Sequence, residues 1–173
     1  MSSCDRAAPR RRILSGLILA AVALAGCRPL YGPTASGVPL ESELQAIAVE
    51  PIPHRLGHYI VNELTFLLNG TGARTPPRYK LTILVKERAQ SPLIDTVAGR
   101  ATSATVLVDA YYELSRPGLE TPIDKGVVFV AQSYDRTSQR LSNFRAARDA
   151  ETRDAREIAR QIKDRIALTL ATR

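Results

Sequence analysis

The apolar residues in the first half of the chain follow two different periods, and each period predicts its own kind of element. A short apolar run over residues 46–52, stopped by prolines, predicts a first strand. Over residues 55–68 the apolar side chains recur every three or four positions, which predicts an amphipathic helix that Asn69 and Gly70 end. Tyr79, Leu81, Ile83 and Val85 alternate with Lys80, Thr82 and Lys86, which predicts a second strand with one basic face.

The second half of the chain predicts two more strands and one long helix. Residues 104–114 alternate between an apolar and a polar set, so one face of this strand is expected to be buried. Residues 127–131 are apolar at every position, which favours a central strand or one that is covered on both faces. The last apolar stripe, from about Phe144 to Ala171, predicts a helix roughly 40 Å long at about 1.5 Å per residue.

The order of these elements, βαβββα, predicts a two-layer α/β (α+β) fold. The strand–helix–strand unit favours a right-handed parallel crossover, and the next two connections are short enough for antiparallel neighbours. Each helix has a single apolar stripe, so both helices are expected on one face of a four-stranded mixed sheet. The other face is expected to be the more polar one, formed by the alternate side chains of the second and third strands.

The first 27 residues indicate export and attachment to a membrane. A basic segment with four arginines precedes an apolar stretch over residues 13–25, as is typical of a secretory signal peptide. Thirteen residues are too few for a membrane-spanning helix, which needs about 20. The tetrapeptide Leu24-Ala25-Gly26-Cys27 resembles a bacterial lipobox, which implies cleavage after Gly26 and a lipid on the Cys27 sulfur. An ordinary signal peptide cut near a cysteine stays open as the alternative.

Cleavage at this site changes both the charge and the cysteine count. The full chain carries a formal net charge of +7, and removal of residues 1–26 takes away four arginines and one aspartate, which leaves +4. Cys4 leaves with the signal peptide and Cys27 is the expected lipid site, so no cysteine pair remains for a disulfide. We expect a signal peptide over 1–26, a lipid-anchored tether over 27–43 and a single domain over 44–173 held by packing alone.

The sequence contains none of the common catalytic motifs. Gly-x-Ser-x-Gly, a glycine-rich phosphate loop and His-Glu-x-x-His do not occur, so we expect neither an enzyme nor a bound cofactor. His54 and His58 have the spacing of two metal ligands on a helix, but a metal site needs further ligands. Solvated histidines at the start of a helix are the preferred interpretation, and no metal is expected.

Basic residues of the second and third strands are the candidate binding residues. Lys80, Lys86 and Arg88 lie along one strand, and Arg100 lies near the start of the next. Ammonium and guanidinium groups pair well with phosphate, so these four residues favour a phosphorylated lipid or an acidic partner surface. A solvated sheet face is the alternative. Nucleic acid is not an expected partner, because the protein is exported and its basic face lacks interleaved aromatic residues.

Short motifs spread over the mature chain occur in a characteristic order. The lipobox is followed at once by Arg28-Pro29-Leu30-Tyr31-Gly32, and later come Ile47-Ala48-Val49, Tyr79-Lys80-Leu81, Ala110-Tyr111-Tyr112-Glu113-Leu114, Ser133-Tyr134 and Ile158-Ala159-Arg160-Gln161-Ile162. With these motifs in this order, the chain resembles LptE, the lipopolysaccharide-assembly lipoprotein family of Gram-negative outer membranes, and its α-proteobacterial branch in particular.

The resemblance implies both a fold and a role. The expected fold is two helices on a four-stranded sheet. The expected role is that of an outer-membrane lipoprotein that plugs and helps to assemble the LptD β-barrel, and that binds lipopolysaccharide directly; palmitate is among the acyl groups implied. Lys80, Lys86, Arg88 and Arg100 then become candidate contacts to lipopolysaccharide. The alternatives are a lipid-binding accessory lipoprotein of an envelope transport system without a barrel, and a periplasmic hydrolase, which the missing nucleophile motif disfavours.

Replacement of Cys27 tests the expected anchor. We expect Cys27→Ser to stay uncleaved or to become soluble, because acyl chains contribute about 0.8 kcal/mol for each buried CH₂ and the serine variant lacks them. Membrane fractionation and the mass of the mature protein measure both effects. A variant that is processed and membrane-bound like the wild type would show that the assignment is wrong.

Overall fold

The computed structural model describes residues 34–35, 37–70, 75–91, 94–95 and 100–172 of the chain. The helices in this part are α1 (Leu40–Gln45), α2 (His54–Asn69) and α3 (Arg140–Ala171). The strands are β1 (Ile47–Val49), β2 (Tyr79–Gln90), β3 (Ile94–Asp95), β4 (Arg100–Ala101), β5 (Ser103–Ser115) and β6 (Asp124–Asp135).

Four of the strands form one mixed sheet in the order β1-β2-β5-β6. β1 runs parallel to β2, with Ile47 opposite Tyr79, and the α2 crossover joins them. β2, β5 and β6 form an antiparallel meander, and β3 pairs with β4 in a separate two-stranded ladder. The predicted two-layer fold and the order βαβββα are therefore confirmed, and the structure adds α1 and the short ladder.

The core lies between one face of the sheet and the two longer helices. The alternate residues of β5 that were predicted to face inward, from Ala104 to Leu114, are all buried. Most of the apolar stripes of α2 and α3 is buried too, whereas Phe144, at the predicted start of the second stripe, is exposed. A fully buried aliphatic side chain contributes about 1.5–3 kcal/mol relative to an exposed one, so this layer is the main source of stability. The side chains with no exposed surface include Ile60, Leu64, Leu81, Val108, Leu114, Val128, Ile158, Ile162 and Ile166.

Helix α1 was not predicted from the sequence. It follows Pro39 directly, and its six residues place Leu40 and Leu44 in the core, four positions apart on one helix face. A helix this short has too few turns to show a period, and the prolines and glycines before it favoured extended chain. The stretch interpreted as the end of the tether is therefore helical from Leu40.

The prediction that the fourth strand is central, or covered on both faces, was wrong. β6 lies at the end of the strand order, with β5 as its neighbour. Its apolar residues belong to two different surfaces: Val128 and Val130 are buried in the core, whereas Val127 and Phe129 are exposed on the opposite face.

Arginines of α3 contact the outer edge of β6. Arg165 Nη1 donates a hydrogen bond to the backbone carbonyl oxygen of Val127 at 2.7 Å, and Arg153 Nη2 donates to that of Ser133 at 3.3 Å. The helix thus covers one face of the sheet and also occupies two carbonyl groups of the strand at its margin.

A glycine sets the distance between α2 and the chain that enters it. A Cβ atom added at Gly57 would lie 2.6 Å from Ile52 Cγ2 and 2.7 Å from the Ile52 carbonyl oxygen. Both separations are far shorter than a normal van der Waals contact, and Ile52 is itself buried in the core.

We expect Gly57→Ala to destabilise the fold by about 1–2 kcal/mol, because overpacking outweighs the better helix propensity of alanine. Thermal unfolding measured by circular dichroism tests this, and the matched control is Thr65→Ala on the exposed side of the same helix. An equal or higher melting temperature for Gly57→Ala would contradict the close packing.

Candidate functional site

The sheet face that the helices leave uncovered is the candidate site, and it is called here the open face. It consists of the side chains of β2, β5 and β6 that point away from the core. Strand register arranges them in rows, with Leu84 opposite Tyr111 and Tyr111 opposite Val127. In the next row Lys86 is opposite Asp109, and Asp109 is opposite Phe129.

Apolar residues occupy the middle of this face. Leu84, Tyr111, Val127 and Phe129, called here the apolar band, are 60%, 39%, 44% and 55% exposed. The first three line a shallow groove of about 510 Å³ together with Thr82, Glu113 and Lys125. A contiguous apolar patch with a polar rim is typical of a binding surface. The sequence analysis expected this face to be polar and so missed the band, although the apolar residues at both parities of β6 were its signal.

Three of the four predicted binding cations lie on the open face. Lys80, Lys86 and Arg88 are alternate residues of β2, so they form a row along the strand instead of converging at one point. Lys80 and Lys86 are six positions apart, which is about 20 Å at 3.3 Å per residue. The band residue Leu84 lies between them on the same strand and the same face.

Each cation of this row has a partner. Lys80 Nζ lies 2.7 Å from Glu50 Oε1, and Arg88 Nη2 donates to Asp109 Oδ2 at 2.6 Å. Lys86 Nζ stands 5.1 Å from the centre of the Tyr111 ring. The hydrogen bond from Lys80 is also the main reason that the pKa of Glu50 is lowered. These cations are exposed and solvent screens their interactions, so each pair contributes little to stability and an incoming phosphate group can compete for the cations.

The other predicted residues lie elsewhere. Arg100 belongs to β4, where its partner in the short ladder is Asp95, so it is not part of the main sheet. Gly26 and Cys27, the predicted cleavage and lipid sites, lie outside the described residues. His54 begins α2 and His58 is exposed on it. Across the residues that the structure describes, no three His, Cys, Asp or Glu side chains are grouped so that they could hold a metal ion.

A buried carboxyl group on the helix side was also missed. Asp154 of α3 has no exposed surface, and neither of its carboxyl oxygens has a hydrogen-bond partner within the described chain. Burial, and then the nearby charge of Glu87, raise the pKa of Asp154 to about 7. Its neighbour Glu151 is held by Arg55, which donates to the two carboxylate oxygens at 2.8 and 2.5 Å. The sequence held a signal, because Asp154 stands four positions from Ala150 and Ile158 in the apolar stripe.

The fold accommodates the protonated form of Asp154, which gives stability a definite pH dependence. The pKa of Asp154 is raised from 3.8 to about 7, so its protonation stabilises the folded state. This stabilising free energy is fully present below pH 3.8 and decreases as the pH rises towards 7. At 1.36 kcal/mol per pKa unit, the loss between pH 5 and pH 7 is roughly 2–3 kcal/mol. We expect Asp154→Asn to lack this loss, so that it is more stable than the wild type above pH 7.

Denaturant unfolding at pH 5 and at pH 8 measures this effect, with Asp149→Asn as the control. Asp149 lies on the same helix, its side chain is 62% exposed, and it pairs with Arg153. If Asp154→Asn and Asp149→Asn have the same pH profile as the wild type, Asp154 does not titrate as stated.

No helix within the described part of the chain has the length and apolar character that crossing a membrane requires.

The fold and the open face define a class of protein: a small two-layer α+β domain that keeps one sheet face available for a ligand or a partner.

Comparison with known families identifies this class more closely. The family model described as "LptE: Lipopolysaccharide-assembly" matches residues 44–166, which is most of the chain. The chain belongs to the LptE family. The resemblance found in the motifs is thereby confirmed. A search of curated proteins gave no match.

Solved structures with a similar fold include two bacterial lipoproteins. A protein from Caulobacter crescentus CB15, described as a candidate lipoprotein, has a TM-score of 0.65 and 25% sequence identity, covering 78% of this chain and 97% of that one. The rare lipoprotein B from Shewanella oneidensis has a TM-score of 0.53 and 12% identity, covering 71% and 92% of the two chains. The second likeness shows the fold alone.

Proposed function

We propose that this protein is an outer-membrane lipoprotein that plugs and helps to assemble an LptD-like β-barrel, and that its open face contacts lipopolysaccharide. The family consists of non-enzymatic lipoproteins of lipopolysaccharide assembly, and the chain belongs to it. The apolar band beside a row of cations is the observation that carries the proposal of direct lipid contact.

The chemistry of lipopolysaccharide matches the open face. This lipid combines acyl chains with phosphate groups, and the band offers exposed apolar surface beside Lys86 and Arg88. Acyl chains gain by removal from water, at about 25 cal/mol for each Å² buried. Guanidinium and ammonium groups form charge-assisted hydrogen bonds with phosphate. The open face can therefore contact both the acyl chains and the phosphate groups of the lipid.

The shape and surface of the helical layer suit a barrel lumen. Helix α3 has 32 residues, about 48 Å at 1.5 Å per residue, which is similar to a bilayer with its headgroups. Its outer side is exposed and rich in arginine, including Arg145, Arg156 and Arg160. Barrel interiors are polar, so a charged outer helix face is compatible with a position inside one.

Attachment through lipid on Cys27 is part of the same proposal. Thr34 is seven positions after Cys27, so the chain between them spans at most about 24 Å at 3.4 Å per residue. An anchored domain of this kind would stay close to the leaflet that holds its acyl chains.

A lipid-binding accessory lipoprotein without a barrel is the second candidate, and the apolar band favours it equally. Purification of the acylated protein from outer membranes distinguishes the two. We expect a large β-barrel protein to co-purify in near-stoichiometric amount and to be identified by mass. Recovery of a free lipoprotein with bound lipid would support the accessory role instead.

Removal of the candidate cations tests the lipid contact. We expect lipopolysaccharide to bind roughly tenfold or more weakly, at low salt, to the non-acylated mature chain when four cations become glutamine. The circular dichroism spectra of this variant and of the wild type should be alike, since exposed charges contribute little to stability. The four residues are Lys80, Lys86, Arg88 and Arg100.

A variant with the same change in net charge is the control, and its arginines lie on the exposed side of α3. It should bind as the wild type does. If both variants bind lipopolysaccharide equally weakly, net charge explains the loss. If the variant of the four candidate cations binds as the wild type does, those cations do not contact lipopolysaccharide. The control residues are Arg140, Arg145, Arg156 and Arg160.

A further inference from the structure

A second, polar cleft lies at the end of the domain where the tether enters. It has a volume of about 350 Å³ and is lined by Thr34, Glu43, Arg78, Tyr79 and Arg116, among others. This cleft, called here the tether-end cleft, shares no residue with the groove of the open face.

Its charged residues are held around one tyrosine hydroxyl. Tyr79 Oη donates to Glu43 Oε2 at 2.6 Å and accepts from Arg116 Nη2 at 2.7 Å. Arg78 Nη2 donates to the other oxygen of Glu43 at 2.9 Å, and the Arg116 guanidinium stands 4.9 Å from the centre of the Tyr79 ring. Burial is the main cause that raises the pKa of Tyr79, so this hydroxyl keeps its proton.

The network contains two arginines and one carboxylate, so its net charge is positive. The Glu43 side chain is only 9% exposed, and Tyr79 and Arg78 already supply a donor to each of its oxygens. Arg116 is an additional cation at an exposed position. A guanidinium has five N–H groups, and each arginine uses one of them here, so both have N–H groups left for an anion.

The position of the cleft indicates the source of that anion. The chain reaches Thr34 from Cys27 in seven residues, and the backbone of Ala35 is hydrogen-bonded to Ala171 at the end of α3. With the lipid proposed on Cys27, a connection of at most about 24 Å would keep this end of the domain, and not the Arg140 end of α3, near the lipid headgroups.

From these observations we propose that the tether-end cleft binds a phosphate group, with Arg78 and Arg116 as its ligands, and that the headgroups of anionic phospholipids in the anchoring leaflet supply the phosphate. Two planar guanidiniums offer the paired N–H geometry that phosphate oxygens accept. The membrane source rests on the lipid attachment proposed for Cys27, whereas the phosphate chemistry of the cleft does not.

The test uses the full mature chain with Cys27→Ser, so that binding cannot arise from acyl chains. Sedimentation with vesicles of phosphatidylglycerol and phosphatidylcholine, compared with vesicles of phosphatidylcholine alone, measures membrane binding. We expect Arg78→Gln/Arg116→Gln to weaken binding to the anionic vesicles about tenfold. Arg140→Gln/Arg145→Gln, which removes the same charge at the far end of α3, should weaken it less than twofold.

Two further variants keep the result interpretable. If loss of Arg78 unfolds the domain, Arg116→Gln alone should still weaken binding several-fold, since Arg116 does not contact Glu43. Arg78→Lys/Arg116→Lys retains the charge but not the planar fork, and we expect intermediate binding. Equal losses in the cleft and control variants would overturn the proposal, because net charge would then explain them.

Titration with inorganic phosphate at constant ionic strength distinguishes the two sources. Competition by phosphate for vesicle binding, absent in the double cleft variant, is the expected result. If phosphate binds the wild type but anionic vesicles bind no better than neutral ones, the membrane source is wrong. If neither binds, the site itself is wrong. Lipopolysaccharide binding should fall much less in the cleft variants than in the open-face variant, because the cleft offers no apolar band for acyl chains, and this difference separates the two proposals.

Discussion

The packing of α3 against one face of the sheet is the constraint on which the rest of the structure depends. No disulfide is expected in the mature chain, so this interface and its contact with α2 hold the layers together. Ala150, Ala155, Ala159 and Ala167 are almost completely buried, and such small side chains allow the helix to approach its neighbours closely. Since both long helices lie on the same side, the opposite face of β2, β5 and β6 is left uncovered. The candidate site therefore follows from the asymmetry of the core.

The parts of the fold that sequence predicts well are those in which one period continues over several turns or residues. The burial of β5 alternates from Ala104 to Leu114 and α2 keeps its apolar stripe over four turns, and both were predicted close to their observed bounds. Helix α1 was missed because six residues provide less than two turns. β6 was misplaced because a strand that is apolar on both faces has the same pattern whether it is central or at an edge next to a binding surface. Only the tertiary arrangement decides between the two.

The candidate site was predicted in part for the same reason. Alternation along β2 was enough to place Lys80, Lys86 and Arg88 on one face. Their partners come from elsewhere: Glu50 follows β1, and Asp109 lies on β5, so pairing depends on strand order and register. The apolar band also joins residues of three strands. The tether-end cleft joins α1, β2 and the turn after β5, which no single stretch of sequence brings together.

The two arginine contacts at the margin of β6 affect how the protein without a bound partner can self-associate. An exposed edge strand with apolar side chains is a template on which another chain can add a strand, which leads to aggregation. Arg165 and Arg153 occupy the carbonyl groups of Val127 and Ser133, on either side of the exposed Phe129. Only a short stretch of edge is left between them. The helix that builds the core therefore also occupies part of the edge on which another chain could add a strand.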